Sequence, residues 1–73
     1  MPGVRATFWF LDGGRLELRV VGPSGLDLGH RLGVRPGVFA YAHTILPGSR
    51  LVNVDHNDRE GEERVERWRF EAL

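Results

Sequence analysis

Between Ala6 and Val21 hydrophobic side chains recur at every second position, Ala6, Phe8 and Phe10 before the run Asp12-Gly13-Gly14 and Leu16, Leu18 and Val20 after it. A period of two is that of a half-buried strand, and the glycines between the two runs predict a hairpin. Parity decides its register. A two-residue turn at Gly13-Gly14 would set Phe10 against Glu17 and Phe8 against Arg19, driving charge into the core. A three-residue loop, Asp12-Gly13-Gly14 with a glycine in the left-handed conformation, sets Phe10 against Leu16, Phe8 against Leu18 and Ala6 against Val20. The opposite face then carries Arg5, Thr7, Trp9 and Leu11 across from Arg15, Glu17, Arg19 and Val21, with Trp9 facing Glu17.

The remaining punctuation is Gly and Pro throughout ("GPSG", "RPG", "LPGS"), and the segments between are short and rich in Val, Phe, Trp, Tyr and Thr. This spacing predicts an all-β domain, a small five-stranded antiparallel meander or partly open barrel, with strands near Val4–Leu11, Arg15–Val21, Val38–Leu46, Arg50–His56 and Val65–Ala72. "VFAYAHTIL", apolar at nearly every position, reads as a central strand buried on both faces. A type II turn at Pro47-Gly48 leads into "RLVNVDH", with Val52 and Val54 inward, and then to an exposed tip, "HNDREGEE". The tail admits two readings. As a helix it offers Glu63–Arg67 and Arg67–Glu71 at salt-bridge spacing; as a strand it puts Trp68, Phe70 and Ala72 on one face, which favours the strand, paired with the fourth. The glycine-rich stretch from Gly22 to Gly37 reads as a long crossover with Leu26, Leu28 and Leu32 tucked beneath it, and "LDLGHRL" as a short edge strand within it.

At 73 residues the chain makes one domain, residues 1–73, and a core this small is marginal without help. There is no cysteine, so neither a disulfide nor a cysteine zinc site supplies it, and a partner chain becomes the natural stabiliser. Ten arginines balance ten Asp and Glu residues, with no lysine, so no global field draws the molecule to nucleic acid or an anionic membrane. No charged leader and no run near membrane-spanning length is present, which predicts a soluble, cytoplasmic protein. Strand count and size resemble small barrels of the SH3, Sm or oligonucleotide-binding kind, a resemblance of architecture that does not carry function. Small bacterial or phage proteins share this character.

Candidate chemistry is sparse. His30, His43 and His56 are far apart in sequence, and Ser24 and Ser49 sit in turns. No phosphate-binding glycine motif fits, and the "GPSG" spelling lacks the helices that would make it an RNA-binding loop. "DHND" at residues 55–58 holds ligand types, but neighbouring strand residues point apart, so no metal, cofactor or catalytic residue is expected. His43, in an apolar segment, is expected in the core with a hydrogen-bond partner rather than as a general base, and Asp55 is a candidate for that partner.

The expected function is therefore non-enzymatic. A protein-interaction or self-assembly module would use Arg5, Trp9, Arg15, Glu17, Arg19, Arg67 and Arg69 on the outer sheet face to bind another protein or itself as a homo-oligomer, because Trp and Arg dominate interface hot spots. The alternative is a small barrel binding single-stranded nucleic acid, which requires the last strand to lie beside the first hairpin so that the arginines cluster. The bland alternatives are that Trp9 only covers the sheet, shielded by arginine stems and held by cation–π contacts, or that a curled barrel or the C-terminal segment closes over it.

Overall fold

The computed structural model describes residues 3–73. Five strands, β1 (Arg5–Phe10), β2 (Arg15–Val21), β3 (Asp27–Val34), β4 (Ser49–Glu60) and β5 (Glu63–Ala72), and one helix, α1 (Arg35–Ala42), follow one another with α1 between β3 and β4. All pairings are antiparallel, in the order β3-β2-β1-β5-β4. The chain is thus a mostly β protein built on a single open sheet, and the C-terminal segment is strand, lying between β4 and β1.

The first hairpin has the register that parity demands: Phe10 pairs with Leu16, Trp9 with Glu17, Phe8 with Leu18 and Ala6 with Val20. Asp12–Gly14 form the three-residue connection, closed by the Leu11 N–H donating to Arg15 O at 2.9 Å. Gly13 and Gly14 both take positive φ, 76° and 73°, which a side chain would resist.

The segment from Val38 to Leu46 is not a strand. Pro36 lies in the first turn of α1, where its fixed φ suits a helix start, and the helix runs to Ala42 before the chain turns. Val38 and Ala42, four residues apart, are fully buried, and Phe39, Tyr41 and Ile45 pack against the core beside them. A helical stripe is present, but it is hidden in a run where nearly every residue is apolar. His43 consequently lies exposed past the helix end, its Nδ1–H donating to Phe39 O at 2.8 Å, and Asp55 is not its partner.

What seats the helix is the glycine series. On β3, Gly29 pairs with Val20 and Gly33 with Leu16, so both face the core. A Cβ on Gly29 would lie 2.7 Å from Ile45 Cδ1 and 2.9 Å from Tyr41 Oη, and one on Gly33 would lie 3.4 Å from Val38 Cγ2. The missing side chains make the trough in which α1 lies. The region read as a crossover is therefore largely a regular edge strand of eight residues. Of the leucines expected beneath it, Leu28 packs against the core, whereas Leu26 and Leu32 are 63% and 52% exposed.

Phe8 stacks on Phe39 at 4.3 Å between centroids, and Trp68 meets both rings edge-on. Leu16, Leu18, Val20, Val38 and Phe70 are buried with them, each worth roughly 1.5–3 kcal/mol of transfer free energy. Glu66 shares the inner face and is 7% exposed, but it accepts from Arg64 Nη1 and Trp68 Nε1, both at 3.1 Å.

The two sheet edges differ. Along β4 the register slips between Asn53 and Asp55 and again between Asp55 and Asp58, whereas β3 is regular from Gly29 to Val34. The fourth strand also faces the opposite way to expectation. Leu51 pairs with Phe70 on the inner side, Val52 pairs with Arg69 on the outer side, and Val54 is 58% exposed.

Candidate functional site

Helix α1 packs on one side of the sheet, against β2 and β3. On the opposite side, cross-strand pairing arranges outward side chains in rows. One row runs Val52, Arg69, Arg5, Val21 and Asp27; the next Asp55, Arg67, Thr7, Arg19 and His30; the third Asp58, Val65, Trp9, Glu17 and Leu32. Beyond these, Glu60 and Glu63 lie on the β4–β5 side and Arg15 and Val34 on the β2–β3 side. All seven residues singled out from the sequence, Arg5, Trp9, Arg15, Glu17, Arg19, Arg67 and Arg69, thus occupy one face, because β5 pairs with β1 and carries its arginines alongside.

Trp9 sits at the middle of this face, half-buried, with Val65 beside it on β5 and fully buried. The cation–π contacts of the protein lie elsewhere: Arg31 covers Tyr41, Arg35 covers Phe39 and Phe10, and Arg64 covers Phe10 at 3.7 Å. Among the described residues no arginine caps the Trp9 ring. The expected cation–π contact is therefore missing, and Val65 is the cross-strand neighbour of Trp9 on β5.

Two concavities mark the region. One, of about 490 Å³, is lined by Trp9, Glu17, Arg19, Asp27, His30 and Glu63. The other, of about 730 Å³, follows β1 and β5, and Arg5, Thr7, Arg67 and Arg69 contribute to its lining. His30, Asp27, Thr7 and Glu63 were not singled out from the sequence. The alternation in "LDLGHRL" was the available signal for His30, whose Nε2 lies 2.7 Å from Glu17 Oε2.

The charges on this face are unevenly satisfied. Arg67 binds Asp58 at 2.9 Å and Glu60 at 3.3 Å, and Arg69 binds Glu71 at 2.6 Å. The Arg59 main-chain N–H, followed by the Arg67 guanidinium, holds the Asp58 carboxyl below the usual carboxylate range. Arg69, then Arg50, does the same for Glu71. Asp58 and Glu60 in turn hold the Arg67 proton more tightly than usual. Arg5, Arg19 and Glu63 make no ion pair among the described residues.

Among the described residues no three His, Asp or Glu side chains converge as metal ligands. In the 55–58 segment Asp55 Oδ1 accepts the Asn57 N–H and Asp58 is occupied by Arg59 and Arg67, so its acids serve the hairpin. No helix in the described residues is long and apolar enough to cross a membrane. Comparison with models of known families, with curated proteins and with solved structures finds no match to this chain.

Proposed function

We propose that this chain is a non-enzymatic interaction module that meets another polypeptide through the open sheet face centred on Trp9. One observation carries the reading: α1 covers one side of the sheet, while the other presents a half-buried tryptophan that no arginine caps among the described residues, on a face where Arg5 and Arg19 make no ion pair. Half-desolvated Trp and Arg side chains at the centre of a face supply most of the binding free energy in protein interfaces. The carboxylates interspersed among them favour a polypeptide surface of mixed charge over a polyanion.

The test separates recognition from structure. Trp9→Ala removes a half-buried ring and is expected to cost under about 2 kcal/mol, against roughly 3–5 kcal/mol for Phe8→Ala in the core. Thermal melts of both variants measure this. A Trp9→Ala loss as large as that of Phe8→Ala makes the ring structural and overturns the reading.

A second reading has one observation in its favour. Pairing of β5 with β1 sets Arg5 opposite Arg69 and Thr7 opposite Arg67, which gathers the cations that binding of single-stranded nucleic acid requires. Against it, Trp9 is the only aromatic ring on this face among the described residues, since Trp68 packs inward on Phe8 and Phe39. Fluorescence anisotropy of a labelled oligonucleotide at low and high salt decides: no binding at low salt ends this reading.

A further inference from the structure

Resting on the interaction reading, we infer that the partner of the open face is a second copy of this chain, docked face to face about a two-fold axis. The axis runs across the strands between the Thr7 row and the Trp9 row.

The ground for this is charge self-complementarity along the strand direction. Unpaired Arg5 and Arg19, together with Arg69, lie toward one end of the face; Glu17 and unpaired Glu63 lie toward the other. A two-fold axis across the strands leaves each strand over its own copy and exchanges the two ends. Arg69 on β5 then faces Glu63 on β5 of the second copy, with Arg5 on the neighbouring strand reaching the same carboxylate. Arg19 on β2 faces Glu17 on β2, and the Trp9 ring lies over Thr7. Glu71 at the basic end is held by Arg69 and Arg50. Asp55 on β4 comes to face Asp58, itself held by Arg67. Two further charges run against the gradient, Arg15 at the acidic end and Asp27 at the basic end. The same axis brings these two to each other, on adjacent strands. Such self-matching is what an isologous interface requires.

Size is compatible. Five strands about 4.8 Å apart and some eight residues long present a face on the order of 600 Å² before side chains are added, close to the ~800 Å² per partner of a standard interface. Face-to-face packing of twisted sheets at roughly −30° is an established solution for covering such a surface. It also places Leu32, 52% exposed in the isolated chain, inside the contact.

Sedimentation velocity and light scattering from micromolar to millimolar concentration test the inference. The wild-type chain is expected to pass from monomer to dimer, with dissociation favoured by added salt because its contacts are charged. R69E and E63R each set like charges against each other twice per dimer and should each weaken dimerisation at least tenfold. An equimolar mixture of R69E and E63R chains restores both contacts and should recover a heterodimer within about threefold of wild-type affinity. A wild-type chain that stays monomeric at millimolar concentration, single variants that dimerise normally, or a mixture that fails to recover would each overturn the inference. Such a failure alongside a small Trp9→Ala stability loss leaves the interaction reading standing with a different partner, whereas a large loss removes both.

Discussion

Placing a single methyl group at Gly29 tests how the helix is held. An alanine Cβ there would sit 2.7 Å from Ile45 Cδ1 and 2.9 Å from Tyr41 Oη, so both side chains must retreat by several tenths of an ångström or α1 must lift. Overpacking of this kind costs about 1–3 kcal/mol, and the backbone entropy gained by replacing a strand glycine returns roughly 0.5–1 kcal/mol. Because both crowded atoms end side chains that can turn aside, the net loss is up to about 2 kcal/mol, which in a domain of this size corresponds to a fall in Tm of up to about 15 °C. Circular dichroism melts of Gly29→Ala measure it. Two controls fix the interpretation. Gly33→Ala meets Val38 Cγ2 at an ordinary 3.4 Å and should melt close to wild type. Combining Gly29→Ala with Ile45→Val and Tyr41→Phe removes the two crowded atoms and should recover at least half of the loss. A Gly29→Ala protein that melts with or above the wild type, and to which Ile45→Val and Tyr41→Phe restore nothing, would refute the close seating of Tyr41 and Ile45 on Gly29.

Other expectations follow from the same contacts. Asp58 and Glu71 have carboxyl groups held low in the folded state, so their contribution is complete above the unfolded carboxylate range of about 4 and is lost as pH falls through the folded values. Tm should be flat from pH 8 to 5 and fall below pH 4, less steeply in Asp58→Asn; an unchanged Tm at pH 3 contradicts this. Glu66→Ala leaves Trp68 Nε1–H without its acceptor on the inner face, while Arg64 keeps His56 O, and should cost about 1–3 kcal/mol by urea unfolding. Ser24 holds a φ of 65°, which glycine adopts without penalty, so Ser24→Gly should leave stability unchanged or raise it by up to about 1 kcal/mol in the same assay.

Much of the candidate face was legible in sequence because it depends on local rules. Parity between Phe10 and Leu16 fixes the hairpin, and the hairpin fixes which way Trp9, Glu17 and Arg19 point. The period of two in Trp68 and Phe70 fixes the outward arginines of β5 in the same way. What escaped depends on distant partners. The helix lay hidden because "VFAYAHTIL" carries apolar side chains on every side, leaving neither period visible, and its docking site is written as absences at Gly29 and Gly33. The inward turn of Leu51 and outward turn of Val52 follow from their pairing with Phe70 and Arg69 of β5, which no property of "RLVNVDH" reports. That β5 also lies beside β1, the pairing that gathers Arg5 with Arg69, is a long-range choice set by how the two hairpins share one core.

The unequal margins of the sheet limit how these molecules could polymerise. An uncovered strand margin is a template for another chain, and fibres grow when both margins of a subunit accept one. Here β4 breaks its hydrogen-bonding row twice within Asn53–Asp58 and sets Asp55, Asp58, Arg59 and Glu60 along it, so it terminates lateral growth. Only β3 offers an uninterrupted row, from Gly29 to Val34. Margin-to-margin joining of folded molecules therefore halts at pairs, and a substitution that straightened β4 would remove the stop against filament formation.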